Sequence, residues 1–153
     1  MRYATRGAIA ALVSATAAAL VAFLSALRLT TAPTRGRIDP DPLASAASLV
    51  AFVVGVAAFF WLGRSIGRDG ATARMAVMTG CLAGAVAGLA GGSAQAIAIS
   101  DYLGQVLGTY SVPPELLTIV LVTYVVLATI GATLLGGAIA YIGWHRGIRR
   151  ATA

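Results

Sequence analysis

Polar and charged residues cluster along this chain and leave four apolar stretches between them, at residues 7–27, 43–62, 75–99 and 116–142. Each stretch has roughly the 20 residues a helix needs to cross the hydrocarbon core of a bilayer. The pattern therefore predicts an all-α, polytopic membrane protein, with four transmembrane helices in a compact bundle forming a single domain over residues 1–153. The breaks between stretches carry helix start and stop chemistry. Asp39, Pro40, Asp41 and Pro42 precede the second helix, Gly63 and Arg64 follow it, and Pro113, Pro114 and Glu115 precede the fourth. At about 1.5 Å per residue the fourth stretch is near 40 Å long, so it should tilt or project beyond the ~30 Å core. The first stretch follows Arg2 and Arg6 as a cleaved leader would, but it exceeds the 7–15 apolar residues of a signal core and is expected to be a retained helix.

Residues 100–115 support two readings. Tyr102, Leu103, Val106, Leu107 and Tyr110 recur at helical spacing behind Asp101, a candidate cap, which suits a short helix lying along the outer interface. A turn packed on the bundle fits equally well, and a surface gate or partner platform is a weaker third reading.

The third stretch is glycine-rich and places a small residue at every fourth position: Ala76, Gly80, Gly84, Gly88, Gly92 and Ala96. Lipid tails give helices no hydrophobic reason to associate, so such rows serve close backbone packing. Leu82, Val86 and Leu89 form a narrow larger stripe suited to lipid. A step of four advances about 40° around a helix, so the row sweeps roughly 200° and calls for more than one partner. The fourth stretch offers Ala128, Ala132, Gly136 and Ala140, flanked by Thr129, Thr133 and Gly137; the first offers Ala8, Ala11, Ala15, Ala18, Ala22 and Ala26. These rows make the third helix the expected centre of its own bundle, the alternative being that part of the row faces a second subunit.

Composition agrees with the pattern: 59% of residues are hydrophobic and 10% charged, and the mean hydropathy is +0.88. That is too little polar surface to coat a soluble globule. All basic residues are arginine, a coding bias that leans toward a prokaryote and its inner membrane. With the amino terminus inside, Arg2, Arg6, Arg64, Arg68, Arg74, Arg146, Arg149 and Arg150 are cytoplasmic, and Arg28, Arg35 and Arg37 external. Trp61 and Trp144 mark the same cytoplasmic side. The net charge of +6 thus reads as topology and attraction to anionic headgroups of the lipid bilayer, and no nucleic-acid partner is expected, because the arginines neither stripe one face nor alternate with stacking aromatics.

Candidate chemistry is sparse. His145 sits beside Trp144 and Arg146 with no second ligand, Asp39 and Asp41 alternate with prolines as turn residues do, and Cys81 lies alone in an apolar stretch. No catalytic residue, metal site or cofactor is expected, and the chain is read as not an enzyme. Uncharged polar groups instead gather in the outer half: Ser25, Ser45, Ser48, Ser93, Gln95, Thr118, Thr123 and Tyr124. They serve either as interhelical hydrogen bonds, the reading with more weight, or as the lining of a wet vestibule. Gly91–Gly92 and Gly136–Gly137 are candidate helix breaks of the kind that mark transporter sites, but they fall at different depths. A faint two-by-two repeat of arginine, proline and aromatic markers hints at duplication.

The functional expectation is a small non-catalytic scaffold, accessory or assembly subunit that works with a membrane protein partner. The alternative is a small-solute transporter or pore subunit acting as a homo-oligomer. The predicted topology places both termini in the cytoplasm, so a fluorescent protein that matures only there, fused after Ala153, should glow; an expressed but dark fusion overturns the orientation.

Overall fold

The computed structural model describes residues 2–29, 42–109 and 113–151. Arg35, Arg37, Asp39, Pro40, Asp41 and Tyr110 lie outside the described residues, as do the side chains of Arg2, Ser25 and Arg28. The described residues form four helices: α1 (Arg2–Leu29), α2 (Pro42–Arg68), α3 (Ala73–Thr109) and α4 (Pro114–Ala151). Each is long and apolar enough to cross a membrane. Pro42 and Pro114 stand at the first helical positions, where a missing N–H costs nothing.

All four helices outrun their predicted limits, α1 by less than two turns at either end and the others chiefly at their carboxyl ends. Gly63 does not stop α2, which runs on to Arg68 and ends in a Schellman turn: Gly70 takes a positive φ of 73°, its N–H donates to the Gly67 carbonyl, and the Ala71 N–H donates to the Ile66 carbonyl. α3 absorbs the predicted outer connection as far as Thr109, so Asp101 lies inside a helix and caps nothing. Nothing between Ile99 and Gly104 breaks the helix, and Ser100 Oγ turns back to donate to the Ile97 carbonyl at 2.8 Å. α4 continues past residue 142 through Gly143 and Gly147, and α3 and α4 each reach roughly 55 Å.

The helices form a ring in the order α1, α3, α4, α2. Neighbours α1 and α3 run parallel, with Gly7 against Thr79 and Gly91 against Ala18; α2 and α4 also run parallel, with Gly63 against Ala140 and Gly67 against Trp144. The two hairpins thus stand side by side in the same sense. α2 and α3 touch across the ring, whereas α1 and α4 do not touch among the described residues. α3 is therefore not the sole centre of the bundle, since α2 also meets all three other helices.

Two seams without side chains bind α4 to its neighbours. On the α3 side, a Cβ at Gly80 would lie 2.5 Å from the Gly136 carbonyl oxygen, and one at Gly84 2.2 Å from that of Ala132. Gly88 faces Thr129, Ala132 and Ala128, and Gly92 faces Ala128 and Val125. Rows that step by four on both helices are oblique to both axes, so crossing helices keep them aligned. One partner consequently follows the row from Gly80 to Gly92, and α1 meets residues offset from it. On the α2 side, a Cβ at Gly63 would fall 1.9 Å from the Ala140 carbonyl oxygen, and one at Gly143 2.3 Å from that of Phe60. Gly147 meets Arg64 in the same way at 2.6 Å.

Side-chain bonds lock the end of the bundle where α2 turns into α3. Arg6 Nη1 donates to Asp69 Oδ2 at 2.6 Å, and Trp144 Nε1 donates to the Ala71 carbonyl at 2.7 Å. Beneath this turn Leu62, Ile66 and Ala76 are fully buried and pack with Ala10, Ala11 and Phe59. An exposed ion pair contributes about 0–1 kcal/mol, so the apolar cluster and the seams carry most of the stability there.

Gly84→Leu and Gly63→Leu should each destabilise the fold by 3 kcal/mol or more, on the order of severe overpacking. Gly131, which has open space around its missing Cβ, should accept alanine with a gain of about 0.5–1 kcal/mol. Unfolding in mixed detergent micelles reads all three, and equal responses would remove the distinction between seam and surface glycines.

Candidate functional site

All four helices line one cavity of about 280 Å³. α1 contributes Ser14, Ala18 and Val21; α2 the stretch from Ser48 to Phe59; α3 Ala87 to Gln95; and α4 Ala128 to Ile139. Its position follows from the packing below it. α2 and α4 touch through Phe59–Gly136, Phe60–Gly143, Gly63–Ala140, Arg64–Gly147 and Gly67–Trp144, all in the half near the α2–α3 turn. Beyond Phe59 a space lined by both helices opens between them, and we call it the fork. The cavity occupies the fork, closed beneath by Phe59 and Ile139 and backed by α1 and α3.

The fork is open on its outer side. Phe52 of α2 and Leu135 of α4 line the cavity yet are 59% and 50% exposed, at the depth of the apolar core of both helices. Ser48, also exposed, stands on the same rim.

Three uncharged polar side chains interrupt the apolar wall: Ser14, Ser48 and Gln95. Gln95 Oε1 accepts a hydrogen bond from Tyr124 Oη, joining α3 to α4. That bond occupies the amide oxygen and leaves the two amide protons for another acceptor. Ser14 Oγ is buried without a hydrogen-bond partner, 3.6 Å from where a Gly55 Cβ would stand. A hydroxyl in that state loses its hydration without compensation, at about 1–3 kcal/mol.

The predicted outer polar group is thus divided. Gln95 and Ser48 line the cavity and Tyr124 is bonded to Gln95, whereas Ser45, Ser93, Thr118 and Thr123 lie off the wall. Thr129 and Thr133 donate to the carbonyls of Val125 and Thr129 four residues back, so their hydroxyls are satisfied within α4. Ser14 was absent from the predicted group. An isolated serine in an alanine-rich helix carries no pattern, and only the position of Gly55 opposite could have marked it. The glycine pairs read as candidate breaks leave α3 and α4 helical: Gly91 seats Ala18, Gly92 faces Ala128, Gly136 meets Gly80 and Phe59, and Gly137 meets Cys81 Sγ.

Elsewhere, His145 is exposed beside the Trp144 ring, 6.4 Å between centroids. Cys81 is a half-buried free thiol. No group of three or more His, Cys, Asp or Glu side chains converges among the described residues. No family model, no curated protein and no solved structure matches the chain.

A double-mutant cycle on Tyr124→Phe and Gln95→Leu should return a coupling of about 0.5–1.5 kcal/mol, the worth of one interhelical hydrogen bond. Ser14→Ala should leave stability unchanged or raise it, because it removes an orphaned hydroxyl. A loss of more than about 1 kcal/mol on Ser14→Ala would mean that the hydroxyl is bonded in the native protein.

Proposed function

We propose that this multi-pass membrane protein is a non-catalytic accessory, scaffold or assembly subunit of a prokaryotic inner membrane, with both termini in the cytoplasm. The observation that carries the reading is the pair of glycine seams. They join α2, α3 and α4 backbone to backbone into one stiff unit, while large side chains of α3 and α4, among them Leu82, Val86, Leu89, Leu127 and Leu134, point away from it. A stiff body with broad apolar outer faces suits a partner within the bilayer, where association depends on shape and close packing.

A second reading, a small-solute transporter or pore subunit acting as a homo-oligomer, is favoured by one feature, the forked cavity with Gln95 and Ser14 on its wall. Mass measurement after purification with native partners retained separates the two. A stable heteromer is expected; a homo-oligomer whose stability depends on solute would favour the second reading, and a lone monomer would overturn both.

A further inference from the structure

The forked cavity has the features of a binding site, whichever assembly the protein joins. Its mouth lies between Phe52 and Leu135, amid residues suited to lipid, so what enters comes from the bilayer. Its volume decides the size of the occupant. A cavity of 150 Å³ holds a benzene molecule, so about 280 Å³ accommodates roughly 12 non-hydrogen atoms. A helix, about 10 Å across, cannot reach Ser14 on the far wall through such a space. The polarity decides the chemistry. Among the described residues the wall carries no charged side chain; it carries a hydroxyl lacking a partner at Ser14 and a carboxamide whose protons are not engaged by Tyr124. A charged headgroup would be desolvated there with nothing to balance it. A plain alkane would leave Ser14 orphaned, whereas a hydroxyl or carbonyl oxygen would satisfy it.

We propose that the fork between α2 and α4 is a binding site for an uncharged membrane amphiphile, with one hydroxyl or carbonyl oxygen held by Ser14 and an apolar body of about ten carbons lying against Val56, Phe59 and Ile139. The amphiphile enters laterally from the hydrocarbon layer. The reading is independent of the accessory-subunit proposal, since a monomer would bind equally well.

The test is photolabelling of the full-length protein in lipid nanodiscs with a ten-carbon alcohol carrying a diazirine near the end of its chain. Mass spectrometry should place the label on residues 51–59 of α2 and 87–95 of α3. Unlabelled decanol should displace it at about five-fold lower membrane mole fraction than decane, the factor expected of one neutral hydrogen bond, and decanoate should compete worse than decanol. Ser14→Ala should erase the preference for decanol over decane while labelling persists, and Ala51→Phe should abolish labelling by filling the cavity. Label confined to Leu82, Val86 and Leu89 overturns the site, as does an unlabelled cavity. Equal displacement by decane and decanol in the wild type, or stronger displacement by decanoate, overturns the polar recognition. The serine variant keeps the test decisive should Ala51→Phe fail to fold.

Discussion

The bundle depends on α4 lying in backbone contact with two helices at once. At Gly80, Gly84, Gly63 and Gly143 the space a single methyl carbon would need is already taken by a carbonyl group of the neighbouring helix. In water such contacts would be incidental to burying a core. Between helices surrounded by hydrocarbon they are the main source of attraction, because dispersion between close-packed backbones replaces dispersion with lipid, and exclusion of the loosely packed lipid is gained in addition. The absence of side chains is thus the interaction itself, and it accounts for α2, α3 and α4 behaving as one body while α1 is attached to the side of α3 and α2.

The same constraint divides the molecule into two unlike halves. Two parallel helices held at short distance by Gly63, Gly67, Gly143 and Gly147 can stay together only while small residues continue on both. On α2 they give way to Phe59, Val56 and Phe52. Phe59 is the last of these that can be buried against Gly136, and beyond it the fork opens. The turn between α2 and α3 reinforces the asymmetry from the other direction. Four residues between helices hold their ends together, and Arg6 and Trp144 clamp that turn from α1 and α4. One half is therefore dense and pinned. The other half has room, and there the polar residues facing inward, Ser14 and Gln95, remain.

Much of this architecture is legible in the residues. Four apolar stretches, the proline starts and the two small-residue rows lead to four helices and to a close α3–α4 contact. The second seam is equally present, as Gly63–Gly67 and Gly143–Gly147 are each spaced by four, but the first pair looks like a stop signal and the second lies past the predicted end of its helix. Glycine ends a helix when it meets water and a free carbonyl; against another backbone it has the opposite effect, and only the neighbour decides which applies. Ring order was not legible either. Short connections require antiparallel hairpins but leave open whether the hairpins face each other in the same or opposite sense. Tyr124 and Gln95 share a depth in the predicted topology, which brings them within reach; Ser14 shares its wall only because α1 lies beside α3 in the observed order.

The fork raises an energetic question that the seams help to answer. Left unfilled, a space of about 280 Å³ would deny its walls the dispersion contacts that close packing supplies. Collapse would be the ordinary remedy, and here it is blocked. The seams and the clamped turn set the angle between α2 and α4, and closing the fork would draw α4 away from Gly84 and Gly88, whose contacts hold the bundle together. Rigid helices with a void between them, at a depth where acyl chains are always available, make filling from the bilayer cheaper than rearrangement. The cavity is in that sense a by-product of glycine packing. Its orphaned serine is not, because the same packing would be served as well or better by alanine at that position.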